Sequence, residues 1–134
     1  MTAPIYFVNT SEKHFLEQAG DRLPLGLLYL SSFLKSKGFH TKIWDLNHKN
    51  KNDMIQQAKK DNVTFWCFGT NTPTFSKTIE LAKEVRENFK NAVLIAGGNH
   101  VTDNPSETET RLTFNYIIVG DGENALLDIL QENA

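Results

Sequence analysis

Short apolar runs alternate with longer segments of helical period along the whole chain, giving five strand-helix pairs. That alternation prescribes an α/β domain, because parallel strands need crossover connections and helices supply them. Strand one is expected at Ile5 to Asn9, where Ile5, Tyr6, Phe7 and Val8 run apolar without alternation, as a strand covered on both faces requires. Pro4 suits its first position. Helix one is expected from Leu25 to Ser36, with Leu27, Leu28, Leu30, Phe33 and Leu34 crowding one side and Gly38 as its stop. Strand two follows at Thr41 to Leu46. Helix two, Asn52 to Lys60, has only Met54, Ile55 and Ala58 to bury and so flanks an edge. Strand three, Val63 to Gly69, is the most apolar run and the expected centre of the sheet. Helix three, Phe75 to Phe89, keeps Phe75, Ile79, Ala82, Val85 and Phe89 on one face. Strand four, Ala92 to Ala96, ends in Gly97-Gly98, and a short helix should open near Pro105. Strand five is Tyr116 to Val119, and a last helix starts near Gly122. Right-handed crossovers with helices on both faces then give a doubly wound five-stranded parallel sheet of order 2-1-3-4-5.

At 134 residues, 40% hydrophobic and 22% charged, the chain reads as one domain over 1–134 that needs neither disulfide nor structural metal for its core. Apolar stretches such as Val93 to Ala96 fall far short of the roughly 20 residues of a membrane-spanning helix, so no membrane is expected. No basic segment followed by an apolar region opens the N-terminus, and the single Cys67 closes no internal disulfide, which together point to the reducing cytoplasm. With 14 Lys and Arg against 16 Asp and Glu there is no positive field to draw nucleic acid.

Ligands of such a sheet bind beyond the carboxyl ends of the strands, near the reversal of strand order between strands one and three. Four loops meet there. The first, Asn9 to Pro24, exceeds the usual two to six residues and is long enough to form a lid or floor. It offers Thr10 and leads to Leu25 and Gly26 at the mouth of helix one, although a solvated charged loop is the plain alternative. The second offers Thr70, Asn71 and Thr72, whose hydroxyls and backbone N–H groups either bind a polar ligand or serve helix three, with Thr74 as its N-cap. In the third, Gly97 and Gly98 remove two side chains and let a ligand approach the backbone, with Asn99 and His100 projecting from the same edge. No second histidine or cysteine stands at metal-ligand spacing from His100, so zinc is not expected and His100 reads more plainly as a surface or capping residue. The fourth is Gly120-Asp121-Gly122-Glu123, whose exposed N–H groups could meet an anion or an amide oxygen.

Three common users of the fold are tested by absence. Gly120 to Ala125 formally satisfies the dinucleotide pattern, but that fingerprint belongs to a first βαβ unit with an acidic residue on the next strand, so nicotinamide binding is rejected. A phosphoacceptor receiver needs an aspartate at the end of strand three, where Gly69 and Thr70 stand. A flavodoxin-like phosphate loop needs compact Ser, Thr and Gly after strand one. Asn9-Thr10-Ser11 begins one and Glu12-Lys13-His14 interrupts it, leaving flavin mononucleotide a lesser alternative.

Taken together, four segments resemble the cobalamin-binding domain found at the N-terminus of cobalamin-dependent radical S-adenosylmethionine enzymes, a Rossmann-like or flavodoxin-like fold. They are Leu23-Pro24-Leu25-Gly26-Leu27-Leu28-Tyr29-Leu30 with Lys37-Gly38-Phe39, Trp44-Asp45-Leu46-Asn47, Ala96-Gly97-Gly98-Asn99-His100-Val101-Thr102 with Pro105, and Val119-Gly120-Asp121-Gly122-Glu123-Asn124-Ala125-Leu126. Asn99 stands where a proline often precedes the histidine. The resemblance implies that cobalamin lies against the carboxyl ends of the strands, its nucleotide tail pulled away from cobalt. The cobalamin domains of methionine synthase and the mutases instead place Asp-x-His-x-x-Gly after strand one, with the histidine on cobalt. Here Glu12-Lys13-His14-Phe15-Leu16-Glu17 lacks both that aspartate and that glycine, so no histidine is expected on the lower face.

The radical enzymes also hold an iron–sulfur cluster on Cys-x-x-x-Cys-x-x-Cys, which the single Cys67 cannot replace. The expectation is therefore a cobalamin carrier, without catalysis of its own, excised from a longer enzyme. It would present the corrinoid to a radical S-adenosylmethionine catalytic domain for methyl transfer. The alternative is a substrate-binding or structural domain that kept the fold and lost the cofactor.

Overall fold

The computed structural model describes residues 3–11 and 25–133. Expectations placed on 12–24, including those on His14 and on Leu23-Pro24, lie outside the described residues. The elements run β1 (Ile5–Asn9), α1 (Leu25–Ser36), β2 (Thr41–Asp45), α2 (Lys51–Asp61), β3 (Phe65–Thr70), a 3-10 turn (Thr72–Thr74), α3 (Phe75–Asn88), β4 (Val93–Gly98), α4 (Asn99–Asp103), α5 (Thr108–Thr113), β5 (Tyr116–Ile117) and α6 (Glu123–Glu132). All pairings are parallel and the order is β2-β1-β3-β4-β5, with β3 at the centre as its apolar run predicts.

The strands alternate faces by the two-residue period of the pleat. Tyr6, Val8, Trp66, Phe68, Leu94 and Ala96 pack with α2 and α3, whereas Phe7, Cys67 and Ile95 pack with α1 and α6. Trp66 and Phe7 are fully buried on opposite sides, which is why neither β1 nor β3 shows polar alternation.

Local chemistry sets the element ends. Helix α1 stops in a Schellman motif: Gly38, at φ +92°, donates its N–H to Lys35 O, and Phe39 N–H reaches back to Leu34 O. Helix α2 begins at Asn50, whose side chain accepts from the N–H groups of Asn52 and Asp53, and ends at the left-handed Asn62.

Three expectations are corrected. Thr74 does not cap α3; Asn71 Oδ1 accepts from both the Thr74 N–H and its hydroxyl, so the asparagine three residues earlier performs that task. The helix after β4 starts directly at Asn99, and Pro105 lies in the turn before α5, because the residue ahead of a proline is pushed out of helical conformation. Strand β4 continues through both glycines instead of stopping at Ala96, since Gly69 and Thr70 of β3 extend far enough to pair with Gly97 and Gly98.

Candidate functional site

One row of the sheet explains where the site lies. Asn9, Gly69 and Gly97 are register neighbours on β1, β3 and β4, two residues beyond Phe7, Cys67 and Ile95 and on the same face. The apolar layer under α1 and α6 therefore ends in two glycines without side chains. The result is a cleft of about 490 Å³, floored by Cys67, Gly69, Ile95 and Gly97 and walled by Leu27 and Leu30 of α1 and Leu126 of α6. Its rim carries polar groups from three strand ends and the turns that follow them: Thr70 at the end of β3 with Asn71, Asn99 at the start of α4, and Gly120-Asp121-Gly122 with Glu123 at the start of α6.

The two glycines of β4 have different causes. A Cβ on Gly97 would meet only Ile118 Cβ, 4.0 Å away, so the space above it belongs to the cleft. Gly98, at φ +100°, would put a Cβ 2.7 Å from Thr70 O and 2.8 Å from Thr70 N. It lines the cleft, but its bareness is demanded by the neighbouring backbone, which corrects the reading that both glycines serve only to admit a ligand. Gly26, on the opposite wall, has nothing within 4 Å of a built Cβ.

Of the residues expected at the site, Gly26, Thr70, Asn71, Gly97, Gly98, Asn99, Gly120, Asp121, Gly122 and Glu123 line this cleft. Leu25 opens α1 beside it. Thr10 does not line it: its hydroxyl bonds the Thr78 hydroxyl at 2.8 Å and it borders a separate cleft on the α2 and α3 side. Nor does His100 project from the edge. Because α4 starts at Asn99, residue 100 turns inward, where the imidazole is only 9% exposed and stacks on Phe75 at 3.8 Å. Thr72 is exposed and meets His100 Nδ1 at 3.0 Å.

Sequence reading missed Asn9 and Tyr29. Asn9 donates to Asp45 Oδ1 at 3.0 Å, and its place beside Gly69 follows from β1–β3 register, which a lone sequence does not disclose. Tyr29 is 59% exposed on α1 at the cleft mouth, and the Glu123 carboxylate beside it raises its phenol above the usual value. The helical period of Leu27 and Leu30 would have assigned their neighbour Tyr29 to the rim. Burial alone pushes the Cys67 thiol far above its ordinary range, so it stays protonated and apolar in the floor. Among the described residues no group of three or more His, Cys, Asp or Glu side chains is placed to hold a metal ion, and no helix is long and apolar enough to cross a membrane.

Fold and cleft together define a doubly wound α/β domain that takes a ligand at the carboxyl edge of its sheet. A family model, the B12 binding domain, matches residues 15–130. The chain belongs to that family, and its cofactor is cobalamin. No curated protein matches it. Among solved structures it is similar to the cobalamin-dependent S-adenosylmethionine radical enzyme OxsB with aqua-cobalamin bound, at TM-score 0.79 and 17% identity over 99% of this chain. The chain spans only 19% of OxsB's length. It is also similar to a CheY-like receiver domain from Methylobacillus flagellatus, at TM-score 0.65 and 12% identity over 99% of this chain and 100% of that one. A type II dehydroquinase from Butyrivibrio crossotus gives TM-score 0.60 and 19% identity over 99% of each chain. At these identities the likenesses establish the shared fold, and β3 ends here in Gly69-Thr70, where a receiver would hold its aspartate.

The residues present fit a large corrinoid in one specific respect. Gly97 leaves a cradle that an ordinary side chain would fill, while Leu27 covers Gly69 beside it, and the rim offers amide and carboxylate groups suited to amide N–H and C=O partners.

Proposed function

We propose that this chain seats cobalamin on the cleft and the adjoining carboxyl edge and presents it, as a methyl carrier, to a radical S-adenosylmethionine catalytic domain. The observation that carries the reading is Gly97 near the end of β4, which leaves the floor open without breaking the sheet, beside Gly69, on which Leu27 of α1 already packs at 3.4 Å. A cleft of about 490 Å³ suits a drug-sized group. It therefore takes the nucleotide end of the cofactor, while the broader corrin lies over the rim. Gly26, Gly97 and Gly120 give backbone approach; Asn71 and Asn99 offer hydrogen bonds, the Thr70 hydroxyl being taken up by Gly97 O and Val101 N–H; Asp121 and Glu123 accept from amide N–H groups. Cobalamin supplies a cobalt centre able to carry and release a methyl group. The protein's task is burial and orientation, and in this reading no residue of the chain ligates cobalt.

Two features support a second domain over the site. Tyr29 and Val119, 59% and 56% exposed, leave apolar surface beside the cleft mouth. The relative OxsB is about five times as long as the region that matches here.

The test is direct: incubate the chain with hydroxocobalamin, desalt it, and record the visible spectrum. Stoichiometric colour retained with the protein is the expected result. Colourless protein would overturn the carrier reading in favour of a domain that kept the fold and lost the cofactor.

A further inference from the structure

His100 lies just behind the carboxyl edge and outside the cleft, between two polar partners on opposite sides of its ring. Nδ1 stands 3.0 Å from the Thr72 hydroxyl, and Nε2 stands 3.1 Å from Glu107 Oε1. Phe75 stacks on the ring and holds it in this plane. The Nε2–Glu107 approach is close, although Nε2 makes no hydrogen bond there. It still decides where the proton sits. An unprotonated Nε2 would set its lone pair against a carboxylate oxygen, the imidazole being 9% and the Glu107 side chain 39% exposed, whereas an N–H there is attracted.

With Nε2 protonated, a neutral imidazole has Nδ1 as its acceptor. Thr72 must then donate its O–H inward to Nδ1. Thr72 is an exposed residue next in sequence to the cleft residue Asn71, and its oxygen then has only lone pairs left for anything beyond the edge. Such an oxygen accepts an N–H and repels a carboxylate.

We propose that Glu107 and His100 are positioning residues that fix Thr72 as an obligate acceptor, and that Thr72 selects a peripheral carboxamide N–H of the corrinoid against a carboxylate at the same place. This deepens the cobalamin reading and rests on it.

Two experiments test it. In the chain without cofactor, nitrogen-15 NMR of the imidazole at neutral pH should show the Nε2–H tautomer; a proton on Nδ1, alone or with Nε2, overturns the proposal. Cobalamin is then compared with its monocarboxylic derivatives, each with one peripheral carboxamide hydrolysed. Wild type and Thr72→Ser should bind at least one isomer about tenfold more weakly than cobalamin, the loss that follows from leaving one polar group wrongly paired. Thr72→Val and His100→Phe should retain cobalamin and bind that isomer within about twofold of it, since neither keeps the fixed acceptor. Cobalamin retained by wild type without discrimination against any isomer sinks this inference alone. Failure of wild type to retain cobalamin sinks the carrier reading and takes this one with it.

Discussion

Gly98 packs against Thr70 so closely that a Cβ on the glycine would stand 2.7 Å from the threonine carbonyl oxygen. The contact joins the last residues of β3 and β4, which are register partners. The Thr70 hydroxyl strengthens the junction by donating to Gly97 O at 2.7 Å and accepting from Val101 N–H at 3.3 Å. A side chain at 98 must therefore move backbone and also adopt φ +100°. Gly98→Ala should cost at least about 2 kcal/mol from the combined strain and overpacking. Gly97→Ala, one residue earlier, should change stability by no more than about 1 kcal/mol, because Gly costs little to replace where space and backbone allow. Urea unfolding followed by circular dichroism measures both; equal losses at the two positions would contradict the different roles assigned to them.

The same contrast makes Gly97 the right position for probing the cofactor. Gly97→Leu fills the cleft floor from a strand whose backbone needs no rearrangement, so the far-ultraviolet spectrum should stay unchanged while retention of hydroxocobalamin falls below detection. Retention comparable to wild type would show that the cofactor does not use this floor.

How much of this could be read beforehand differs between sheet and site. Strand order and both faces follow from runs such as Ile5 to Val8 and Val63 to Phe68, since continuous apolar character admits only a doubly covered parallel strand. The glycines at 97, 120 and 122 were equally legible as places without side chains. What the sequence could not show is which neighbour each faces. Gly98 answers to Thr70, His100 turns under the edge because α4 starts one residue after the strand, and Asn71 rather than Thr74 caps the next turn. The first depends on register between strands 28 residues apart, on which local pattern is silent; the other two are local, but which of several short polar residues caps a turn, and where a helix takes over from a strand, is not settled by residue type.

Asn71 carries two duties, and they are separable. Its Oδ1 accepts from the Thr74 N–H at 3.1 Å and hydroxyl at 2.7 Å, so Asn71→Ala should destabilise the domain by about 1 kcal/mol as a lost cap. Asn71→Asp keeps the acceptor and should restore most of that stability. Thermal unfolding of the pair checks this, and an alanine variant as stable as the aspartate would remove the cap from the account.

Tyr29 and Glu123 face one another across the cleft mouth, α1 to α6. The carboxylate raises the phenol because ionising it would place two negative charges together, with a hydrogen bond to Glu123 and the charge of Asp121 acting in the same direction. Glu123→Gln should therefore move the Tyr29 titration down toward the ordinary tyrosine value, read from the ultraviolet difference against Tyr29→Phe. An unchanged titration would mean that the two side chains do not meet in solution.

Asp61 links folding to acid pH. Burial alone would raise its carboxyl, but donation from Lys42 Nζ at 2.7 Å, from the Tyr6 hydroxyl at 2.6 Å and from Gln57 at 3.0 Å holds it down at about 2. The folded value lies below the ordinary carboxyl value of 3.8 that the unfolded chain takes, so the unfolded state binds the proton first as the medium is acidified. The stabilisation is present in full above the unfolded value and is lost as pH falls from there toward 2. The same carboxylate also lifts Tyr6, whose phenol burial has already pushed above its usual range, so the pair stays as neutral donor and charged acceptor throughout neutral pH. Asp61→Asn removes this titration, and the variant should lose less stability than wild type between pH 4 and pH 2, although it starts lower at pH 7. Urea midpoints measured across that interval give the comparison. Parallel acid limbs for the two proteins would place the titrating group elsewhere.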